Sequence, residues 1–320
     1  MYLVSEKSVK EIATTTIANK AVTQAFIAAY QNRGEVFPVV HAKGCNDGDG
    51  FSMKSGNLLD QKLCGVKIGS YWPNNHQDLN LPNHGTTTLL LDAKTGFPHA
   101  LISAAYLNGL RTAAANAVAT QMLARVDAEV LGVLGAGHQA IFEIKAVCEI
   151  RKIRNILIHS RNAETVDHAI LELEKAGITA HGADAETVCR SSDILITVTN
   201  ATSALFEANW IKPGTHISAM GADKPGKQEL PVELILNASL FADYPPQSII
   251  NGEFEAAYNI NPTIELTAIG AVLVGDNAGR TNDNQITIFD SSGIALQDLC
   301  VAKLVLDEAI KRDLVNGIDF

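Results

Sequence analysis

Positive charge is in short supply in this chain. Its 320 residues carry 25 Lys and Arg against 35 Asp and Glu, a formal net charge of -10 and a pI near 5.4. That balance argues against a nucleic-acid or anionic-membrane surface, because phosphate backbones demand clustered Lys and Arg. Small molecules are the expected partners. Cysteine is sparse as well: Cys45, Cys64, Cys148, Cys189 and Cys300 stand without C-x-x-C spacing. An odd, scattered set fits reduced thiols better than a disulfide framework, and a cytoplasmic setting is the expectation. Long apolar runs are missing, with no uninterrupted stretch near the ~20 residues of a membrane span. The start, "MYLVSEKSVKEIATTT", lacks the basic region and apolar segment of an export signal. The histidines His84, His99, His168, His181 and His216 are dispersed without metal-ligand spacing, so no metal site is expected.

What is present reads as a two-domain α/β protein. A chain of 320 residues is too long for one ordinary core. With 47% hydrophobic and 19% charged residues, it has the make-up of a soluble globular fold. Residues 8 to 32 carry apolar side chains at helical spacing behind Ser8, an N-cap candidate, and Gly34 closes the stretch; a helix or helix pair is expected. The runs "EVFPVVHAKG", "GFSMKSG", "CGVKIGSYW" and "GTTTLLLD" are then punctuated by turn residues, which predicts a mainly antiparallel sheet. The Ala-rich stretch from Ser103 to Ala124 predicts a long helix interrupted near Gly109. From Asp127 onward, apolar strands such as "AEVLGVLG", "RNILIHS", "SDILITVT" and "GTHISAM" alternate with amphipathic helices, the pattern of a parallel sheet covered on both faces. "ITAHGA" is read as a further short strand, and "DLCVAKLVLDEAIKRDLVNG" as a final helix that packs back on the first domain.

The stretch "VLGVLGAGHQA" meets the context of a dinucleotide fingerprint: apolar strand before, helix after, a second strand about twenty residues on. Gly135 allows a sharp turn and Gly137 lets backbone N–H groups approach a pyrophosphate at the helix start near His138. At the end of the second strand, "ILIHSRN", there is no acidic side chain to hold a ribose 2'-OH. Ser160 and Arg161 stand there instead and suit a 2'-phosphate, which favours NADPH over NADH.

Three further residues draw attention. Lys67 sits in an otherwise apolar strand, and Arg111 is the sole charge in a run of small residues, at the expected helix break; both are read as held to meet an anion. Asp223 follows a strand of the second half in the glycine-rich "SAMGADKPGKQEL", at the carboxyl end of the sheet where ligands sit.

The motifs "GVKIG", "LRTAAANAVAT", "GVLGAGHQA", "TVTN", "GTHISAMGADKPGKQEL" and "FDSSGIALQD", in this order, resemble the ornithine cyclodeaminase/mu-crystallin family along nearly the whole chain. The resemblance implies a substrate-binding and dimerisation domain from residues 1–118 with 296–320, an α+β unit with a mainly antiparallel sheet. It implies a Rossmann domain over residues 119–295, a site in the cleft and a homodimer. It makes Lys67 a substrate contact with a catalytic part, Arg111 the partner of the substrate carboxylate, Asp223 the acid/base, and Ser292 a substrate contact. Asn83, Arg111, Thr112, Gly135, Gly137, His138, Gln139, Ser160, Arg161, Thr199, Met220, Lys227 and Ser291 would line the dinucleotide, although "PNHGTTT" around Asn83 matches poorly.

There are departures. Many members carry a second substrate arginine early in the sheet where this chain has His41, and Lys54 replaces a Met-Pro pair. With "GSYWPNN" and "NHGTTTLLLD" these features are similar to the branch containing iminosuccinate reductases, in which a second basic residue would suit a substrate with two carboxylates. The expected activity is NAD(P)H-dependent reduction of a small 2-imino acid. An ornithine-type cyclodeaminase, an alanine-dehydrogenase-like enzyme and a non-catalytic mu-crystallin-like binding protein stand as alternatives.

Overall fold

The structure, a computed structural model, describes Met1–Asp319, with the side chain of His76 left out of the description. The chain divides into two compact units, Met1–Arg111 with Ile294–Phe320, and Thr112–Gly293. The first unit contains β1 (Tyr2–Val4), α1 (Glu6–Ile12), α2 (Thr15–Tyr30), β2 (Gly34–Val36), β3 (Val40–Lys43), β4 (Gly50–Leu58), β5 (Leu63–Tyr71), α3 (Asn75–Leu79), β6 (His84–Asp92), β7 (Pro98–Ser103) and the start of α4 (Ala105–Leu123). The second continues with β8 (Val130–Leu134), α5 (His138–Ile150), β9 (Asn155–His159), α6 (Ala163–Glu174), β10 (His181–Gly182), α7 (Ala185–Ser191), β11 (Ile194–Thr197) and β12 (His216–Ala219). It then adds α8 (Val232–Leu236), β13 (Ser239–Ala242), α9 (Pro245–Asn251), α10 (Glu255–Ile260), β14 (Leu266–Ala268), α11 (Ile269–Val274) and β15 (Thr287–Asp290). The chain returns to the first unit as α12 (Ala295–Lys311) and β16 (Asn316–Gly317).

In the first unit an eight-stranded sheet runs β16-β1-β7-β6-β5-β4-β2, with β3 paired to β4. Its pairings are antiparallel except β1 with β7. On β4 and β5 alternate residues, Lys54, Gly56 and Leu58 opposite Lys67, Gly65 and Leu63, turn one face inward. Helix α12 packs on α2, β4 and β5. It buries Leu296, Leu299, Val305 and Leu306 almost completely, each worth about 1.5–3 kcal/mol of transfer free energy.

The opening helices are a pair, and their caps differ from the expectation. Ser5, not Ser8, caps α1 by accepting from Ser8 N, and Thr14 caps α2 by accepting from Ile17 N. Ser8 is the third helical residue, because β1 ends at Val4 and the chain must turn immediately.

Helix α4 is also a correction. It runs without a break through Gly109, so Arg111 lies in mid-helix and not at an interruption. A helical glycine costs about 1 kcal/mol relative to alanine. Burial of Leu107, Leu110, Ala113, Ala114, Ala115 and Ala117 along the same helix offsets it. The boundary between units falls between Arg111 and Thr112, inside this helix.

The second unit is built on an all-parallel sheet in the order β10-β9-β8-β11-β12-β15-β13-β14. Strands β11, β12 and β15 are buried at every residue, as strands of a parallel sheet covered on both faces are, so they show no alternation of buried and exposed positions. Order reverses at β8, with β9 on one side and β11 on the other, and the carboxyl ends there form the switch point at which such sheets bind ligands. The expected strand "ITAHGA" is reduced to His181–Gly182 at the sheet edge. Among the described residues no helix is long and apolar enough to cross a membrane, and no group of His, Cys, Asp and Glu is placed to hold a metal ion.

Candidate functional site

In the second unit, β8 ends at the switch point and the chain turns through Gly135 into α5. Gly135 has φ 115°, and a Cβ there would lie 2.5 Å from the carbonyl oxygen of Val198, so both backbone conformation and close approach require glycine. Gly137 is the N-cap of the 13-residue helix α5 and supplies no capping side chain. A Cβ on Gly137 would meet nothing within 4 Å. Clear space therefore lies beside the start of a long helix, a position that fits a dinucleotide pyrophosphate.

Around this turn, His138 stacks edge-on with Phe142, and Gln139 donates to Glu143, which also accepts from Asn116. At the end of β9, Ser160 accepts from Thr165 Oγ1 at 3.2 Å, and Arg161 is exposed. Met220 is buried just after β12.

The loops that carry the other predicted residues are gathered by carboxylates. Glu229 Oε1 accepts from the backbone N–H and hydroxyl of Thr199, and Oε2 from Thr197 Oγ1 and Gly221 N. Burial raises the Glu229 carboxyl above its ordinary value, and these donors pull it back down. Glu253 in turn accepts from the N–H groups of Glu229 and Leu230; burial, and then the neighbouring Glu229, push its carboxyl well up. Asp243 accepts from Ser291, Ser292 and the N–H of Gly293. Lys227 donates to Asn200 Oδ1, to Gly221 O and, at 2.7 Å, to Asp223 Oδ1. The Asp223 side chain is 56% exposed, held at its loop by that ion pair.

The first unit collects cations. Lys54 on β4 and Lys67 on β5 are directly opposed in register, and both are buried, 6% and 5% exposed. Like charges facing each other across a strand pair are destabilising, so packing alone does not explain them. Arg111, 6% exposed, joins them from α4. Asn108 Oδ1 accepts from both Lys67 Nζ, at 3.0 Å, and Arg111 Nη2, at 2.7 Å. From α12, Asp298 sets Oδ1 3.0 Å from Arg111 Nε and Oδ2 3.5 Å from Lys67 Nζ, and Gln297 Oε1 accepts from Arg111 Nη1 at 3.4 Å.

These contacts hold charge without fully satisfying it. Of six buried side-chain atoms among the described residues that lack an aligned hydrogen bond, three belong here: Arg111 Nε, Gln297 Nε2 and Asp298 Oδ2. Such a concentration of under-satisfied groups calls for a polar ligand. Burial lowers the Lys67 ammonium to about 7; Asp298 opposes the shift, and Arg111 and Lys54 add to it.

Lys54, Lys67 and Arg111 are thus brought together in the first unit. His41 lies on β3 opposite Ser52 and is exposed. Asn83, just before β6, uses its carbonyl to accept from Trp72 N. Thr112 is the first residue of the second unit. Sequence reasoning missed Asn108, Gln297, Asp298 and Glu229 as site-building residues. For Asp298 a signal existed: it is a lone charge among Leu296, Leu299, Cys300 and Val301 in the first part of α12.

A parallel sheet with a glycine turn and an open helix N-terminus at its switch point defines the class, a Rossmann dinucleotide-binding protein, here with an appended cation-lined unit. The sequence model of the ornithine cyclodeaminase/mu-crystallin family matches residues 4–313. The chain belongs to that family. It is 33% identical over 321 residues to iminosuccinate reductase of Paracoccus denitrificans, covering 100% of each chain. The crystal structure of that enzyme in complex with NAD+ superimposes with a TM-score of 0.93, covering 100% of this chain and 99% of the other. Alanine dehydrogenase of Archaeoglobus fulgidus is 32% identical, over 99% of this chain and 98% of its own. A Δ1-pyrroline-2-carboxylate reductase from Thermococcus litoralis, solved with NADH and L-proline, is 28% identical, covering 99% of this chain and 100% of its own, with a TM-score of 0.92.

Proposed function

We propose that the protein is a nicotinamide-dependent oxidoreductase acting on CH–NH groups, which reduces a small 2-imino acid with two carboxylates, iminosuccinate or a related ketimine, to the amino acid. The observation that carries this reading is the buried, directly opposed pair Lys54 and Lys67 beside Arg111. The similarity to iminosuccinate reductase supports it.

The dinucleotide, bound at the Gly135–Gly137 turn, supplies the hydride. Everything else falls to the chain. Arg111 and Lys67 take the carboxylate next to the imine carbon and fix its orientation, and Lys54 takes the second carboxylate. Asp223 balances the charge of the protonated imine and manages the proton on its nitrogen. The iminium is already charged, so hydride addition at carbon yields the amine with little further proton movement. Ser160 and Arg161 favour NADPH over NADH. The half-buried outer residues Met53, Val66 and Leu89 of the first unit's sheet, with the exposed Phe37, Val40 and Ile68, suit a homodimer with a second copy, to be checked by light scattering.

The test follows absorbance at 340 nm with oxaloacetate and ammonia, pyruvate and ammonia, or cyclic imines, each with NADPH and NADH. Stoichiometric NAD(P)H consumption with the four-carbon imine is expected. Release of ammonia from ornithine without net change in absorbance would overturn the reading in favour of a cyclodeaminase. A preference for the pyruvate imine would replace the substrate class with that of an alanine dehydrogenase.

A further inference from the structure

Asp298 lies on no reacting atom in the reading above, yet two of the three cations are tied to it. Its two oxygens go to different partners, Oδ1 to Arg111 and Oδ2 to Lys67. Asn108 bridges the same pair with a single acceptor oxygen. The two cations are therefore cross-tied twice, once from α4 and once from α12.

The ties also leave donors over. A guanidinium has five N–H groups. Nε faces Asp298, and Nη1 and Nη2 each give one contact, to Gln297 and to Asn108. Each terminal nitrogen carries two N–H groups and gives one contact here, so the guanidinium has donor capacity beyond these ties for a carboxylate.

The charges facing Lys67 are Lys54 from β4, Arg111 from α4 and Asp298 from α12, with neutral Asn108 and Thr88 beside it. Asp298 is the anion in this set. Its place in the first turn of α12 suits a carboxylate, because the helix N-terminus carries partial positive charge.

We propose that Asp298 is a positioning residue for the substrate site: it sets the spacing of Lys67 and Arg111 and keeps the lysine cationic while these two hold a substrate carboxylate. The inference rests on the proposed role of Lys67 and Arg111 as a carboxylate clamp.

The experiment compares the wild type with Asp298→Asn and Asp298→Glu by two measurements on the whole chain. The first is kcat and KM for the imine formed from oxaloacetate and ammonia, from pH 5.5 to 9.5. In Asp298→Asn, KM at pH 7.5 is expected to rise roughly 10–100-fold with kcat at pH 6 within about threefold, and the alkaline limb of kcat/KM to move down by about one pH unit or more. The second needs no turnover: the Lys67 Cε signal in protein carrying 13C-lysine, assigned by its loss in Lys67→Arg, is titrated. Its midpoint is expected to fall by about one unit in Asp298→Asn and to stay within about half a unit of wild type in Asp298→Glu.

An unchanged midpoint and an unchanged alkaline limb in Asp298→Asn overturn the proposal. If that variant does not fold, Asp298→Glu decides: a wild-type midpoint with KM raised several-fold upholds the role, and wild-type KM overturns it. If the wild type reduces no imine but the midpoint still falls in Asp298→Asn, the coupling stands and the proposed reaction is what fails.

Discussion

The two units bury charge in opposite ways. The first draws cations out of water beside one carboxylate: Lys54 faces Lys67 across a strand pair, Arg111 joins them with an unaligned Nε, and Asp298, the anion among them, has an unaligned Oδ2. The second buries the carboxylates of Glu229 and Asp243 among donors, although Asp290, fully buried on β15, has one oxygen, Oδ1, without an aligned hydrogen bond. Glu229 accepts from two hydroxyls and two N–H groups, and Asp243 from two hydroxyls and the N–H of Gly293. Fully paired buried charge is architecture, because its desolvation is already offset. Buried like charges set close together, as Lys54, Lys67 and Arg111 are, repel one another and fit a ligand of the opposite sign.

The contrast can be broken most forcefully at Arg111. Arg111→Lys keeps the charge but loses the fork, and kcat/KM for imine reduction is expected to fall about 10²–10³-fold, in line with the 2–5 kcal/mol of a truncated buried ion pair; near-wild-type turnover would remove Arg111 from the clamp. On the other side, Glu229→Gln offers one acceptor oxygen to four donors. Thermal unfolding should drop by about 5–10 °C, read by calorimetry, since a buried group stranded without its partner costs about 1–3 kcal/mol. Dinucleotide affinity, read by quenching of protein fluorescence, should weaken because Thr199 and Gly221 are released together.

Lys67→Met sharpens the comparison through pH. The folded lysine titrates near 7 against 10.5 for the free side chain, so between those values the unfolded chain binds the extra proton and stability rises with pH. The burial penalty is complete below pH 7. Lys67→Met should therefore raise the unfolding temperature at pH 6, with the gain shrinking as pH climbs toward 10.5, while imine reduction is lost. A gain independent of pH would contradict a buried titrating lysine.

The smallest effect is expected at Glu253. Its carboxyl is raised well above 4.5, so the folded state keeps a proton that the unfolded state releases, and stability falls as pH rises from that value toward the raised one. Glu253→Gln keeps an acceptor for the N–H groups of Glu229 and Leu230 and should flatten that slope, so that the difference in unfolding temperature between pH 5 and pH 8, read by calorimetry, becomes smaller.

Much of this was legible in the residue order. Lys67 and Arg111 stood out as lone charges in apolar or small-residue surroundings, and such charges must meet a partner. The strand, glycine turn and helix of "VLGVLGAGHQA" were readable because strand burial and the demand for φ above zero are local properties. What escaped was non-local. Strand β7 passed unread behind a turn, and β1 lies beside it only through the long-range pairing of Tyr2, Leu3 and Val4 with Ala100, Leu101 and Ile102. Asp298 stood out locally as a lone charge among apolar residues, but nothing near it in the chain reveals that its partner is Arg111, 187 positions away.

The sequence by itself determined the family, the two-part plan, the glycine turn after β8 and the lone charges Lys67 and Arg111, since each rests on periodicity, local backbone demands or residue type within a short window. Only the tertiary structure decided that Lys54 opposes Lys67, that Asp298 and Asn108 tie Lys67 to Arg111, and that Glu229 binds two loops into one. Register and helix docking bring those groups together, and both are set by burial summed over whole elements, which no short stretch of the chain contains.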